Sequence, residues 1–115
     1  MLERVVYAPS LEASPDRPYP FIYYIHIQNH SEETVILKGR KWVVQEDDGR
    51  CNVVEGDGVV GEFPRLEPGQ VFSYNSYMTV GTDSQVKGTF FGFTDAGEAV
   101  MTPVLEFVLE CPETP

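Results

Sequence analysis

Basic residues are scarce in this chain: eight Lys and Arg face eighteen Asp and Glu, for a formal net charge of −10. Nucleic-acid binding draws most of its affinity from cationic groups that displace counterions, and a surface this acidic repels phosphate backbones at long range. A nucleic-acid partner is therefore excluded, and the charge reads first as a device for solubility. Cysteine is scarcer still. Cys51 and Cys111 are the whole complement; they form no C-x-x-C pair and cannot alone complete a four-ligand zinc site. Two free thiols are expected in a reducing compartment. No apolar run approaches the ~20 residues of a membrane helix, so no membrane partner is expected. The first seven residues carry neither a positive leader nor a long apolar segment, which predicts a cytoplasmic protein.

Helix-forming stretches are missing as well. Ten Gly and nine Pro are scattered along the chain rather than pooled in one linker, and such punctuation leaves little room for a helix of three turns. Between the breaks the pattern alternates with period two. Phe21, Tyr23, Ile25 and Ile27 share one face, while Ile22, Tyr24, His26 and Gln28 share the other, as in a strand packed on its first face. Residues 2–8, 34–46, 51–55, 71–78, 85–94 and 99–109 read the same way. The run 34–46 is interrupted at Gly39, a natural place for a bulge or a change of sheet, and the run 99–109 breaks near Pro103. The connection carrying Pro9, Pro15, Pro18 and Pro20 is too long for a hairpin and suits a crossing between sheets. Asp47-Asp48-Gly49-Arg50 predicts a hairpin turn. Glu67-Pro68-Gly69-Gln70 predicts a type II turn. Residues 95–97 predict another turn. At 42% hydrophobic residues, the chain supports one globular domain over 1–115. The expected fold is all-β: a two-sheet antiparallel sandwich of seven to eight strands resembling immunoglobulin or fibronectin type III domains.

Gly56, Gly58 and Gly61 match G-x-G-x-x-G, the phosphate-binding fingerprint of dinucleotide folds. That fingerprint works by opening a helix whose N-terminal amides hold the pyrophosphate. Pro64 and Pro68 follow too closely for such a helix, and Glu55, Asp57 and Glu62 surround the loop with negative charge. The glycines read better as backbone adaptations in a long loop spanning residues 55–65, with phosphate binding as the alternative.

In context the same segment carries a resemblance. Arg40-Lys41-Trp42-Val43-Val44, then Asp48-Gly49-Arg50, then the stretches 54–64, 66–74, 86–92 and 103–109 are similar in order and spacing to the ApaG family, over nearly the whole chain. The resemblance implies a fibronectin-type sandwich with no settled enzymatic activity. Such domains occur as stand-alone bacterial proteins and attached to F-box and DNA-polymerase-delta-interacting proteins. It also implies an indirect link to cobalt and magnesium handling, and suggests pyrophosphate binding at the glycine motif. Lys41 stands where members often carry His, and Phe63 where they often carry Gln, so partner identity does not transfer with the fold.

Catalysis needs an activated nucleophile beside a base. His26 lies on the outer face of a strand and His30 in a turn beside Ser31, Glu32 and Glu33, and neither sits in a nucleophile motif. No enzymatic activity, metal site or cofactor is expected. Asp47-Asp48-Gly49 lacks the spacing of a calcium loop. Lys38-Gly39-Arg40-Lys41-Trp42 gathers three cations beside the only tryptophan, a composition found at binding hot spots, although a core tryptophan with edge-strand lysines gives the same pattern. The expected function is protein binding through a surface made of Arg40, Lys41, Trp42, Val59, Val60 and Phe63. The partner is an unidentified protein, and weak self-association is compatible with it. A small-molecule module taking pyrophosphate, a nucleotide or a divalent cation through Gly56, Gly58 and Gly61 is the alternative.

Overall fold

The computed structural model describes residues 1–112; positions 113–115 of the expected 1–115 domain lie outside the described residues. Nine strands and no helix make up the regular structure of the described residues: β1 (Leu2–Tyr7), β2 (Tyr19–Gln28), β3 (Val35–Glu46), β4 (Cys51–Asp57), β5 (Arg65–Leu66), β6 (Val71–Val80), β7 (Ser84–Thr94), β8 (Ala99–Met101) and β9 (Leu105–Leu109). Among them no helix is long and apolar enough to cross a membrane. They form two antiparallel sheets, one in the order β1-β2-β6 and one in the order β4-β3-β7-β8, with β5 on β3 and β9 on β7. The sandwich expected from periodicity is thus present, with one strand more than the pattern showed. That strand, β5, is two residues long, too short to carry any alternation.

Strand β2 alternates as expected. Phe21, Tyr23, Ile25 and Ile27 are buried against the other sheet, and β2 pairs with β6 without a break from Tyr19 opposite Val80 to Gln28 opposite Val71. In β3 the register against β7 shifts between Leu37 and Gly39. This bulge moves the inward face from odd to even positions, so Leu37 precedes it in the core while Trp42, Val44 and Glu46 follow it there. The Pro103 break likewise divides one edge into β8 and β9. Thr102 spans the gap, its backbone N–H donating to the Phe90 carbonyl and its hydroxyl accepting from the Phe90 N–H.

The proline-rich connection differs from expectation. β1 and β2 are neighbours in the same sheet, so residues 8–18 do not carry the chain across the sandwich. They carry one side chain across instead. The Arg17 Nε donates to the Glu46 carboxylate of the opposite sheet at 3.2 Å. Glu46, 2% exposed, also accepts from Arg50 Nη2 at 3.2 Å and from the backbone N–H of Gly81 at 2.6 Å.

The core is aromatic at its centre. Trp42 packs at a tilt against Tyr23, 5.2 Å between ring centroids, and meets Phe90 and Phe107 edge-on at 5.9 and 6.0 Å. Room for the indole comes from β7: a Cβ on Gly88 would lie 2.3 Å from Trp42 Cζ3. Similarly, a Cβ on Gly92 would lie 2.0 Å from the Ile36 carbonyl oxygen, so β3 and β7 can approach closely only over glycine. Asn29, also buried, fixes the turn after β2. Its amide donates to the carbonyls of Glu33 and Leu66, and its Oδ1 accepts from Ser31. Cys51 is exposed and Cys111 half-buried, and both are free.

Removing the Glu46 carboxylate leaves a buried N–H and two guanidinium groups without their shared acceptor. Glu46→Ala is expected to lower stability by about 2–4 kcal/mol, read as a fall in the urea midpoint, and Glu46→Gln by less. Burial pushes the phenols of Tyr23 and Tyr74 above their ordinary range. Burial, reinforced by Asp83, Glu46 and Asp47, pushes the Cys111 thiol up to about 11. These groups keep their protons in the fold at pH values where the unfolded chain has lost them. Stability is therefore full below the unfolded-state thiol value of about 8.5 and falls as pH rises beyond it, through the thiol first and through the phenols above about 10. Thermal melts between neutral pH and strong alkali should show a level plateau and then a steep decline.

Candidate functional site

The connection from β4 to β5 is built to hold its shape. Val59 and Glu62 exchange backbone hydrogen bonds at 2.7 and 3.1 Å, which closes a miniature hairpin over Val60 and Gly61. Both turn residues have positive φ, 50° and 78°, the geometry of a type I′ turn. Gly61 adopts it freely; Val60, β-branched, does so under strain. The base of the hairpin is tied to β3. The Gly58 N–H donates to the Lys38 carbonyl at 2.7 Å, the Leu37 N–H to the Pro64 carbonyl at 2.9 Å, and Arg40 Nη1 to the carbonyls of Asp57 and Gly58.

These ties sort the six residues expected on a partner surface. Val59 is 0% exposed and Trp42 is 3% exposed. Both are core, which corrects their placement on a surface. The reason for Trp42 is strand parity: neighbours along a strand point to opposite faces, so Arg40, Lys41 and Trp42 cannot share one. Arg40 and Trp42 fall on the inward side of β3, while Lys41 points out and pairs with Glu55 at 3.3 Å. Val59 is the apolar plug that seats the hairpin. Val60, 50% exposed, and Phe63, 54% exposed, remain on the surface.

Phe63 stands at one wall of a groove of about 620 Å³ between the hairpin and the start of β6, with Pro64, Leu66, Val71 and Phe72 among the lining residues. Lys38 Nζ lies 5.4 Å from the centre of its ring, close enough for a cation–π contact. Arg65 grips Asp95 through two bonds of 3.0 and 3.1 Å and ties β5 to the turn after β7. Val71 and Phe72 were not legible as groove residues. They follow the Pro68-Gly69 turn, where periodicity restarts and gives no facing.

The three motif glycines do different work from a phosphate cradle. Gly56 lies within β4. Gly58 is held left-handed, with φ of 72°, where a Cβ would come 2.7 Å from the Glu62 carbonyl oxygen. The N–H groups of Gly58, Val59 and Glu62 are engaged by carbonyls within the chain, and no helix follows. Of the histidines, His26 contacts Glu3 at 3.2 Å on the outer face and His30 is exposed. Among the described residues no group of three or more His, Cys, Asp or Glu is arranged to hold a metal ion.

Residues 9–93 match the family model described as the ApaG domain. The chain is 38% identical over 120 residues to Protein ApaG of Stenotrophomonas maltophilia (strain K279a), covering 95% of this chain and 94% of that one. It is 41% identical over 103 residues to Protein ApaG of Caulobacter vibrioides, covering 88% and 74%. In three dimensions it is similar to a crystal structure of an ApaA protein from Bordetella pertussis, with a TM-score of 0.83 at 30% identity over 96% of this chain and 91% of that chain.

Two outcomes follow from the loop geometry. Val60→Asn, which relieves the strained φ, is expected to raise stability by about 0.5–1.5 kcal/mol, seen as a higher melting temperature. In a nuclear magnetic resonance titration with pyrophosphate, the amides of Gly56, Gly58 and Gly61 are expected to stay in place; saturable shifts confined to them would restore the phosphate alternative.

Proposed function

The chain belongs to the ApaG domain family, and on that premise we propose that it is a non-catalytic binding domain whose partner is a protein docking on the Phe63 groove. One observation carries the reading. A large aromatic side chain stands half-exposed on a hairpin whose backbone is tied at both ends and plugged into the core by Val59. An aromatic held rigidly at the wall of a groove offers area to a partner with little ordering entropy to lose. Val71, 49% exposed, extends the apolar surface across the groove. Lys38, Glu62 and Arg65 supply a charged rim of both signs, the usual anatomy of a protein interface. Loops on a sandwich carry such sites because the paired sheets hold them in place. We place the protein in the cytoplasm, where an exposed Cys51 thiol stays reduced.

Phe63→Ala is expected to leave the melting temperature unchanged, because the ring is outside the core, while weakening partner capture by about 1–3 kcal/mol, roughly 5- to 150-fold. Quantitative pull-down from native lysate, with Phe93→Ala on another exposed face as control, reads the difference. A loss of folding in Phe63→Ala, or equal losses in both variants, would make the loop scaffold.

A further inference from the structure

Each sheet ends in two edges, and three of the four carry the devices that keep a strand from pairing with another chain. β1 holds Glu3, Arg4 and a register shift. β4 holds Glu55 and Asp57, and its line is continued only by the two residues of β5. The edge opposite is broken at Pro103 into β8 and β9, of three and five residues. β6 has none of these devices. It runs ten residues, Val71–Val80, in unbroken register with β2. It contains no charge, proline or glycine, in a chain of which 23% is charged.

Which backbone groups of β6 are free follows from the pairing. The His26 N–H donates to the Met1 carbonyl and the Ala8 N–H to the Pro20 carbonyl, so even positions of β2 bond to β1 and odd positions to β6. The odd positions Phe21, Tyr23, Ile25 and Ile27 lie opposite Met78, Ser76, Tyr74 and Phe72. The backbone groups of Val71, Ser73, Asn75, Tyr77 and Thr79 therefore point away from β2, and they have no backbone partner among the described residues. Three hollows adjoin this edge in succession. The Phe63 groove reaches Val71 and Phe72, a crevice of about 370 Å³ runs from Tyr74 to Thr79, and a third hollow sets Tyr77, Met78 and Thr79 against Glu12, Ala13 and Ser14. Together they make a trough that follows the strand.

The trough has the width of one strand. β1 touches β9, so the sheets are level at that side, and four strands packed over three leave β4 projecting beyond β6. Burial shows the projection: Trp42 and Val44 are buried, whereas Val54 and Asn52, opposite them on the same face, are exposed. Neighbouring strands lie ~4.8 Å apart, so the space beside β6 and beneath Val54 takes a single added strand. A second copy of the chain does not fit there. Pairing β6 with its twin about a twofold axis puts the twin's β3 where β4 already lies, and it brings two bodies of charge −10 together.

We propose that β6 is a docking edge for an extended segment of a partner protein, which adds as a fourth strand to the β1-β2-β6 sheet. Its inward side chains are apolar, beneath Val54 and Val60, and its outward ones polar, beside Ser73 and Asn75. Glu12 and Glu62 at the two ends of the trough favour basic residues flanking the segment. The inference rests on the reading of the chain as a protein-binding domain and specifies the mode of contact.

The probe is a capped peptide of about ten residues that alternates valine with threonine and carries lysine at both ends. Added to the intact chain, it should move the amide resonances of Ser73, Asn75 and Tyr77 saturably, with a Kd of about 0.1–1 mM. It should also slow their hydrogen exchange, while Tyr74 and Ser76, already bonded to β2, keep their rates. Of two versions N-methylated at alternate residues, the one lacking the N–H groups that face β6 should bind at least ~10-fold more weakly, and the other like the parent. Asn75→Pro removes an edge N–H that the fold leaves unbonded. It should melt near the wild-type temperature and bind the parent peptide ~10-fold more weakly. No response of the edge amides up to about 5 mM peptide overturns the proposal, as does equal binding of the two N-methylated versions. Shifts confined to residues 61–66 would also overturn it, while leaving the Phe63 groove as the protein-binding site. Slow exchange at Ser73, Asn75 and Tyr77 that grows with protein concentration, without peptide, would assign the edge to a second copy instead.

Discussion

A carboxylate taken out of water costs several kcal/mol unless donors surround it, and Glu46 draws its donors from three segments that are otherwise loosely attached. Arg17 comes from the long connection between β1 and β2, Arg50 from the β3–β4 hairpin, and Gly81 from the crossing between β6 and β7. Arg50 extends the cluster to Asp48 and to the Asp16 carbonyl. One buried acceptor therefore gathers loops from both sheets at one end of the sandwich. The strands supply area, but non-directional burial does not dictate how one sheet sits over the other. A hydrogen-bonded carboxylate with three fixed partners does. The order also explains why a chain so rich in acids places one of them inside: only an acceptor could serve an amide and two guanidinium groups at once.

At the other end of the molecule the glycine-rich hairpin follows the same economy with backbone bonds in place of charge. Its rungs, its ties to β3 and the Val59 plug hold a shape that Val60 alone would resist. Such strain persists only where the surroundings over-determine it. Phe63 and Val60 are consequently presented by a rigid support.

The sheets were legible from the sequence because β2 from Phe21 to Gln28, β6 from Val71 to Met78 and β7 over its whole length alternate between inner and outer positions, and the bulge at Gly39 and the break at Pro103 were marked by the residues themselves. What the bulge does to side-chain direction was not legible. Shifting the parity of β3 by one residue turns Trp42 and Glu46 inward and Lys41 outward, and the cationic run that read as one patch divides between two faces. The proline-rich connection misled for a different reason. Its length suggested a crossing of the chain, whereas what crosses is the Arg17 side chain. Glu46 gave no signal at all, since the first acid of Glu46-Asp47-Asp48 looks like any solvated turn residue until its three donors are assembled in space.

The seat that Gly88 makes for Trp42 has a consequence for how this sequence can drift. Any side chain at position 88 enters the volume of the indole, and any smaller residue at position 42 opens a void over position 88. Each change is harmful alone and tolerable only with the other, so the pair can move only by a double step through a damaged intermediate. Gly92, pressed against backbone rather than a side chain, has no such compensating partner and no second step to take. Gly49, Gly69 and Gly97, with open space beyond each α-carbon, answer only to their backbone angles, and asparagine is the replacement that strains them least. Three tiers of mutational freedom among residues of one type are thereby written into the strand spacing.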